Sequence, residues 1–365
     1  MRDLALARWS GRGDNWTLHT GTKIHTLIPN PVQHRGVPSL PRVQTRRRPG
    51  PVRYLQLAHR RRAPVSHQQE ALAPAALPPP LGDRDVTPLT VLQTARKEWQ
   101  ARKKAWAAAG LVGEEGRDHV TVWPTITREE GIRWQRLVSV FDPHLTDLHY
   151  HWYCPPGGRI LDPFAGGATR GLVAAARGYH YTGIDLSGRQ VEANRAQYVA
   201  WQDRGLITGS AEWITGPAQD VLPGLDGGFD YVFTCPPYHN LERYSDDPAD
   251  LSAMGWEEFL VVLGGIVAAA LDLLAPDRFA TWVVGDLRGP DGYLRRLPAR
   301  VDTMHEAAGA RLVNDTVIAS PLGGKYGVIW RSWTPTRSAT RIHSHAHTYV
   351  KGDRRRATAA VGGDS

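Results

Sequence analysis

The chain has 365 residues, and its 44 Lys+Arg against 36 Asp+Glu give a formal charge of +8. A hydrophobic fraction of 41% and a charged fraction of 22% exclude a wholly disordered chain. Two cysteines, Cys154 and Cys235, exclude a disulfide framework and fit a cytoplasmic setting, while the longest apolar run, 259–271, is too short for a bilayer span.

The positive excess is local. Residues 1–90 carry 14 basic and 5 acidic side chains, and the remainder is near neutral. Residues 1–89 also hold twelve prolines and two arginine runs, 46–48 and 60–62, with no helical or strand period that lasts. They read as a disordered basic arm. It either binds a polyanion or precedes a true start that lies downstream. Arginine outnumbers lysine 38 to 6 across the chain, as a GC-rich genome would produce, so raw arginine counts carry little weight.

Order is expected from about Thr90. Leu92, Trp99 and Trp106 recur every seven residues and predict an amphipathic helix that ends at Gly110, with the tryptophans in the core. A second helical stretch, 138–153, is stopped by Pro155 and Pro156. From there strands and helices alternate. Strands are predicted at 159–167, 180–186, 230–238 and 278–288. Helices are predicted at 168–178, 187–205 and 256–274, and one over 293–309 interrupted by Pro298. Two late strands, 311–320 and 347–353, suggest an antiparallel hairpin on the sheet edge. The expected fold is α/β, a doubly wound, mostly parallel sheet. The expected domains are the arm at 1–89, one domain at 90–358 (a helical part to 158, then the sheet core), and a tail at 359–365.

Three features carry chemistry. Residues 162–167 (DPFAGG) form a glycine turn at the carboxyl end of the first core strand, and the following helix can present its N–H groups to a ligand. Asp185 ends the next strand, 19 residues beyond Gly166, where an acid can accept both ribose hydroxyls. Together they indicate a nucleoside cofactor without saying which. The fourth strand then ends in Cys235-Pro236-Pro237-Tyr238. Two prolines there remove N–H donors and leave carbonyl acceptors at the sheet edge beside an aromatic plate, a setting that suits a planar amine such as a nucleobase.

DPFAGG, then GIDL at 183–186, then CPPY at 235–238 resembles the DNA amino-methyltransferases, which methylate adenine N6 or cytosine N4 with S-adenosylmethionine. Longer segments, among them 140–171 and 235–252, resemble a phage and prophage branch of that family, including restriction-modification enzymes. The likeness runs from about Thr90 to about Thr358. It implies a Rossmann-like methyltransferase sheet, double-stranded DNA as partner, no membrane and no metal. A homodimer is compatible with it, and the chain carries no restriction-nuclease motif. RNA and protein methyltransferases use similar PPY loops and stay open as alternatives. By the resemblance, Phe141, Asp142 and Pro143 line the methionine end of the cofactor. Asp162, Phe164, Ala165 and Gly166 form its main cradle, Asp185 holds the ribose and Asp220 contacts the adenine ring. Cys235, Pro236, Pro237 and Tyr238 hold the target base.

The sequence departs from the family at Cys235, where Asp, Asn or Ser is usual. A thiol is a weak acceptor. Either Cys235 acts as a poorer serine with Pro236 carrying more of the load, or the protein is a catalytically weak DNA-binding relative. A nucleophilic role is discounted because the rest of the cytosine-C5 pattern is missing. Serine at this position accompanies cytosine N4 methylation, and cysteine is nearest serine in size, which favours N4.

Other features are read more plainly. His343, His345 and His347 share one strand face. With no Cys or carboxylate nearby in sequence, they read as a DNA-facing or solvent strand rather than a metal site. Cys154 is expected to pack. Glu242 and Tyr244 border the base pocket or cap the next helix. Asp286 and Arg288 line the cofactor pocket or form an ion pair. Residues 323–341 show no period, and Arg331, Arg337 and Arg341 there either reach DNA or lie on an exposed loop.

Overall fold

The structure is a computed structural model that describes residues 8–12, 15–20, 23–25, 76–82, 85, 87–113, 115, 121–122, 140–239, 242–243, 247–321 and 326–362. The chain divides into two units, Met1–His67 and Gln68–Ser365.

Most of the basic arm lies outside the described residues. Within it three strands, β1 (Arg8–Arg12), β2 (Asn15–Thr20) and β3 (Lys23–His25), form an antiparallel meander. This revises the expectation of a featureless arm. Trp16 and Leu18 alternate with polar neighbours and pair with Gly11 and Trp9, but the runs are too short to register as a period.

The second unit is built on an eight-stranded sheet. Its strands are β4 (Val91–Gln93), β6 (Arg159–Asp162), β7 (His180–Asp185), β8 (Ser210–Thr215), β9 (Phe229–Thr234), β11 (Leu274–Val284), β12 (Ala310–Ala319) and β13 (His343–Lys351). The order across the sheet is β4-β12-β13-β11-β9-β6-β7-β8. All neighbours are parallel except the two pairs that include β13, which runs against both β11 and β12. Thr121–Val122 (β5) and Glu242–Arg243 (β10) make a separate small antiparallel pair.

Helices cover both faces. On one side lie α1 (Lys97–Ala108), α2 (Pro143–Tyr153), α3 (Thr169–Ala176) and α4 (Gly188–Asp203), whose Trp106, Leu148, Leu172 and Trp201 join one buried cluster. On the other lie α5 (Ala218–Val221), α6 (Trp256–Leu273) and α7 (Leu297–Ala307), with Phe259, Leu263, Ile266 and Val301 in a second. The central strands β9 and β11 are buried on both faces, and this is why their sequences read as near-continuous apolar runs. Helices α8 (Tyr326–Thr336) and α9 (Arg354–Ala360) complete the chain. Among the described residues no helix is long and apolar enough to cross a membrane.

The doubly wound sheet is as expected, with four local corrections. Leu92 is not on the first helix: it is the buried middle residue of β4, a strand whose two neighbours face outward, and α1 starts at Lys97. Pro298 does not interrupt α7 but sits in its first turn, where a missing N–H costs nothing. The antiparallel strands are not on the free edge, because β13 inserts between β11 and β12 and β4 covers β12. Residues 326–336 of the stretch read as aperiodic form α8, which carries Pro335 within it. The ordered chain also begins before Thr90. Leu77 and Leu81 pack against the core, and the Pro79 carbonyl accepts from Arg102 (2.8 Å) and Arg177 (3.2 Å).

Candidate active site

The carboxyl ends of β6, β7, β8 and β9 open into one cavity of about 670 Å³. That is within the range of small-molecule sites. The glycine turn after β6 forms its floor. Gly166 adopts a left-handed conformation (φ 53°), which an L side chain resists. Its N–H donates to Oδ2 of Asp185 (2.8 Å) and its carbonyl accepts from Asn194 (2.7 Å). Gln190, one helical turn before Asn194, donates to that amide's oxygen (2.9 Å). The turn is therefore clamped between the end of β7 and the first turns of α4.

Asp185 lines the cavity. Its second oxygen, Oδ1, accepts from the Ser187 N–H (2.9 Å), and Ser187 caps α4 as expected. A carboxylate oxygen can accept more than one hydrogen bond, so these backbone contacts orient the group without exhausting it as an acceptor for a ligand. Two buried polar atoms of the lining, Gln219 Oε1 and Thr169 Oγ1, have no hydrogen-bond partner. They fit a polar ligand with donors at those places.

Asp162 differs from its expected place. It is fully buried, and it is the residues after it, 163–167, that reach the cavity. Its carboxylate accepts from Arg170 (2.5 Å), Tyr181 (2.7 Å), Thr234 (2.6 Å) and the Phe164 N–H (3.1 Å). It therefore ties β6, β7, β9 and α3 together beneath the site. Arg170 is its counterion, and the same guanidinium donates to the Phe164 and Ala165 carbonyls and lies 4.4 Å over the Phe141 ring. Burial pushes the Arg170 pKa down, but Asp162, Tyr181 and Cys235 nearby outweigh it and hold the charge more firmly. Nothing in the sequence pointed to Arg170, the second residue of α3, a helix that is apolar from Gly171 onward.

Phe141 and Asp142 line the cavity, whereas Pro143 is buried in the first turn of α2 and Leu145 takes its place. Asp142 caps α2 through the His144 N–H (2.9 Å) and accepts from the Trp99 indole (3.0 Å). Asp220 is exposed and off the cavity. The turn into α5 presents Gly216, Pro217, Ala218 and Gln219 instead, one position earlier than expected.

At the other end of the same cavity stand Cys235, Pro236, Pro237 and Tyr238. Cys235 Sγ and Tyr238 Oη are 3.4 Å apart and share a hydrogen bond. His239 follows in a left-handed conformation (φ 44°), a costly one for a residue with a Cβ. It is buried, its Nε2 donates to the Met254 carbonyl (3.0 Å), and its ring packs on Trp256 and Phe259. This anchor fixes where the tetrad ends. Gly285 borders Tyr238: a Cβ there would come within 3.5 Å of its ring and 3.8 Å of the Ser344 hydroxyl. Asp250, Leu251 and Ser344 complete the lining at this end, and none was anticipated from sequence.

The remaining expectations resolve as follows. Cys154 is buried in the core, where burial pushes its thiol pKa well up. Asp286 and Arg288 line a second cavity, not this one. Asp286 caps α7 through the Leu297 N–H (3.1 Å) and pairs with Arg341 (3.5 Å). The Arg337 guanidinium lies over Trp333. Tyr244 and the side chains of Glu242 and Arg331 lie outside the described residues.

No protein-family model matches the chain. Among solved structures it is similar to the [4+2]-cyclase SpnF (19% identity, 64% of this chain and 87% of that one, TM-score 0.40). It is also similar to a SAM-dependent methyltransferase of Methanosarcina mazei (16%, 55% and 96%, TM-score 0.36). A third likeness is to a protein named as a candidate DNA modification methylase of Thermus thermophilus (18%, TM-score 0.28), covering 37% of this chain and 50% of that one. Values of this size leave the strand order to place the chain. With helices on both faces and one reversed strand inserted near its end, the sheet is the doubly wound, mostly parallel α/β architecture expected from sequence.

Proposed function

We propose that the protein is an S-adenosylmethionine-dependent DNA amino-methyltransferase that acts on the exocyclic amine of a flipped base, cytosine N4 before adenine N6, and that it belongs with the phage and prophage branch its sequence resembles. The observation that carries this reading is the single cavity joining a nucleoside-type cradle (Gly166, Asp185, Gln219) to an acceptor-and-aromatic tetrad (Cys235–Tyr238).

The lining fits the cofactor. Asp185 would take the ribose hydroxyls, Gln219 Oε1 would accept an amino group of the purine, and Phe141 with the turn at 163–167 would enclose the rest. When bound, S-adenosylmethionine supplies a methyl group on a sulfonium centre. The protein's own work is alignment and acceptor chemistry at the amine. That nitrogen's lone pair is delocalised into the base. Acceptors on its hydrogens draw it toward tetrahedral geometry, and the Pro236 carbonyl is the strong one available because Cys235 already shares its sulfur with Tyr238. The Tyr238 ring would stack on the extruded base, and the Cys235 contact holds it in place. Alignment of this kind contributes about 7–11 kcal/mol in well-oriented systems.

The test is mass spectrometry of nucleosides from DNA of cells expressing the protein, alongside calorimetric binding of S-adenosylmethionine. N4-methylcytosine or N6-methyladenine supports the reading. Cofactor binding with methylated RNA or protein, and unmodified DNA, would move the activity to another substrate. Cofactor binding with no product would make the chain a catalytically weak relative.

A further inference from the structure

The alternating histidines of β13 do not face open solvent, and the carboxylates missing from their flanking sequence are supplied by other elements. Asp315 on β12 is the direct cross-strand partner of His347. Its Oδ1 lies 2.9 Å from His345 Nδ1 and 3.2 Å from His347 Nε2. All three candidate ligand atoms fall within 4.8 Å of one another. From the opposite side α7 brings Asp302, whose Oδ1 accepts from His347 Nδ1 (2.7 Å) and from the Tyr349 hydroxyl (2.7 Å).

The telling atom is His347 Nε2. His347 is 4% exposed, and its Nε2 has no hydrogen-bond partner, because the Asp315 oxygen 3.2 Å away is not in hydrogen-bond geometry. The ring's Nδ1 is engaged by Asp302. The buried Nε2 therefore faces an Asp315 oxygen to which it does not donate and which already accepts from His345 Nδ1 (2.9 Å). A cation between the two atoms gives Nε2 a partner. Tetrahedral zinc with bonds near 2.0–2.2 Å sets ligand atoms about 3.3–3.6 Å apart, close to the 3.2 Å between His347 Nε2 and Asp315 Oδ1, and the ion would take the place of the 2.9 Å hydrogen bond between His345 and Asp315. A carboxylate on the outer nitrogen of a ligating histidine is the usual means of orienting it. Two imidazoles and a carboxylate suit zinc-class ions rather than magnesium or calcium. A cavity bordered by His343, His345 and Arg341 gives solvent a path to the site and room for a fourth ligand.

We propose that His345, His347 and Asp315 form a divalent-cation site of the zinc class, with Asp302 as the positioning residue for His347. The three histidines point to the side of β13 opposite Ser344, which lines the catalytic cavity. The site pins β12 and β13 together at the edge where Ser344, between His343 and His345, reaches that cavity.

The experiment uses the full chain, stripped with chelator and titrated with Zn²⁺ against a fluorescent chelator, and separately with Co²⁺ to read its visible absorption. The variants are Asp315→Asn, His345→Gln and Asp302→Asn. Histidines elsewhere, such as those of the arm, contribute equally to all four proteins. The expected result is one site per chain whose affinity falls at least tenfold in Asp315→Asn and His345→Gln, and roughly 10–100-fold in Asp302→Asn. Zn²⁺ should also raise the melting temperature of the parent but not of Asp315→Asn. Equal Zn²⁺ affinity in parent and variants would overturn the site. So would nitrogen-15 spectra at neutral pH, with Zn²⁺ present, showing both nitrogens of His347 protonated: the ring would then be an imidazolium shared by two carboxylates.

Discussion

Nε of Arg170 lies 2.5 Å from Oδ2 of Asp162, with the arginine side chain 5% exposed and the aspartate 0%. The first residue of the DPFAGG turn is thus a buried anion whose partners hold three strands and a helix in place under the cavity. Removing one member of such a pair strands the other charge and typically costs about 3–5 kcal/mol. Asp162→Asn is expected to lower unfolding free energy in urea by that amount. Tyr181→Phe, which deletes one hydrogen bond to the same carboxylate, should cost about 1.5–3 kcal/mol. If Asp162→Asn instead folds as stably as the parent and loses only cofactor affinity, the residue belongs to the cradle after all.

Asp185 should behave in the opposite way. It lines the cavity, and its bonds to Gly166 and Ser187 come from backbone N–H groups rather than from a buried guanidinium. Asp185→Ala removes hydrogen bonds to a charged acceptor, worth about 1.5–3 kcal/mol, and should weaken S-adenosylmethionine binding about 10–100-fold in calorimetry. Gln219→Ala should weaken it less, and Asp220→Ala should leave it unchanged, because Asp220 faces solvent.

The pairing of Cys235 with Tyr238 separates two roles that the tetrad combines. Cys235→Ser supplies a better acceptor of similar size and is expected to keep or raise methylation. Tyr238→Ala removes the stacking face and should abolish it. Tyr238→Phe keeps the face but drops the 3.4 Å contact to sulfur and should give an intermediate rate. Nucleoside mass spectrometry reads all three. Full activity in Tyr238→Ala would end the base-stacking assignment.

What was legible in the sequence followed from backbone and period. Gly166 and Ser187 announced the turn and the cap because each satisfies a local conformational demand. The long apolar runs announced β9 and β11 because those strands are buried on both faces. What stayed hidden depends on partners distant in sequence. Arg170 reads as a surface arginine until the fold sets it on Asp162. His347 reads as solvent-facing until β12 and α7 bring Asp315 and Asp302 to its two nitrogens. Asp220 and Gln219 differ by one position, a difference that only the short turn into α5 decides.

Two histidines of α2 predict the response to acid. Burial pulls the His149 pKa down to about 4, with its bond to the Leu145 carbonyl opposing. Burial, aided by Arg102 and opposed by Asp142 and Asp147, does the same for His144. Both rings are neutral in the folded protein, and the unfolded chain binds protons first, near pH 6.5. Stability is therefore complete above pH 6.5 and falls as the pH drops toward 4, by on the order of 3 kcal/mol per ring at about 1.4 kcal/mol per pKa unit. Urea midpoints measured across that window should fall, and His149→Gln should flatten the fall. A midpoint constant from pH 7 to 4.5 would mean that the rings take up protons in the fold as readily as in the unfolded chain.

The +8 charge resides in the arm, so its role needs a truncation that spares the enzyme. Cutting at 88 would also remove Leu77, Leu81 and the Pro79 carbonyl, which pack against the core and hold Arg102 and Arg177. Loss of activity would then report on folding. A chain that starts at Gln68 keeps these contacts and loses the whole positive excess, since residues 1–67 hold 13 basic and 2 acidic side chains. If the arm neutralises DNA phosphates, this truncation should reduce the slope of log affinity against log salt by about 0.9 for each phosphate no longer neutralised, with S-adenosylmethionine affinity unchanged. An unchanged slope would confine DNA binding to residues 68–365 and leave the arm without a part in it.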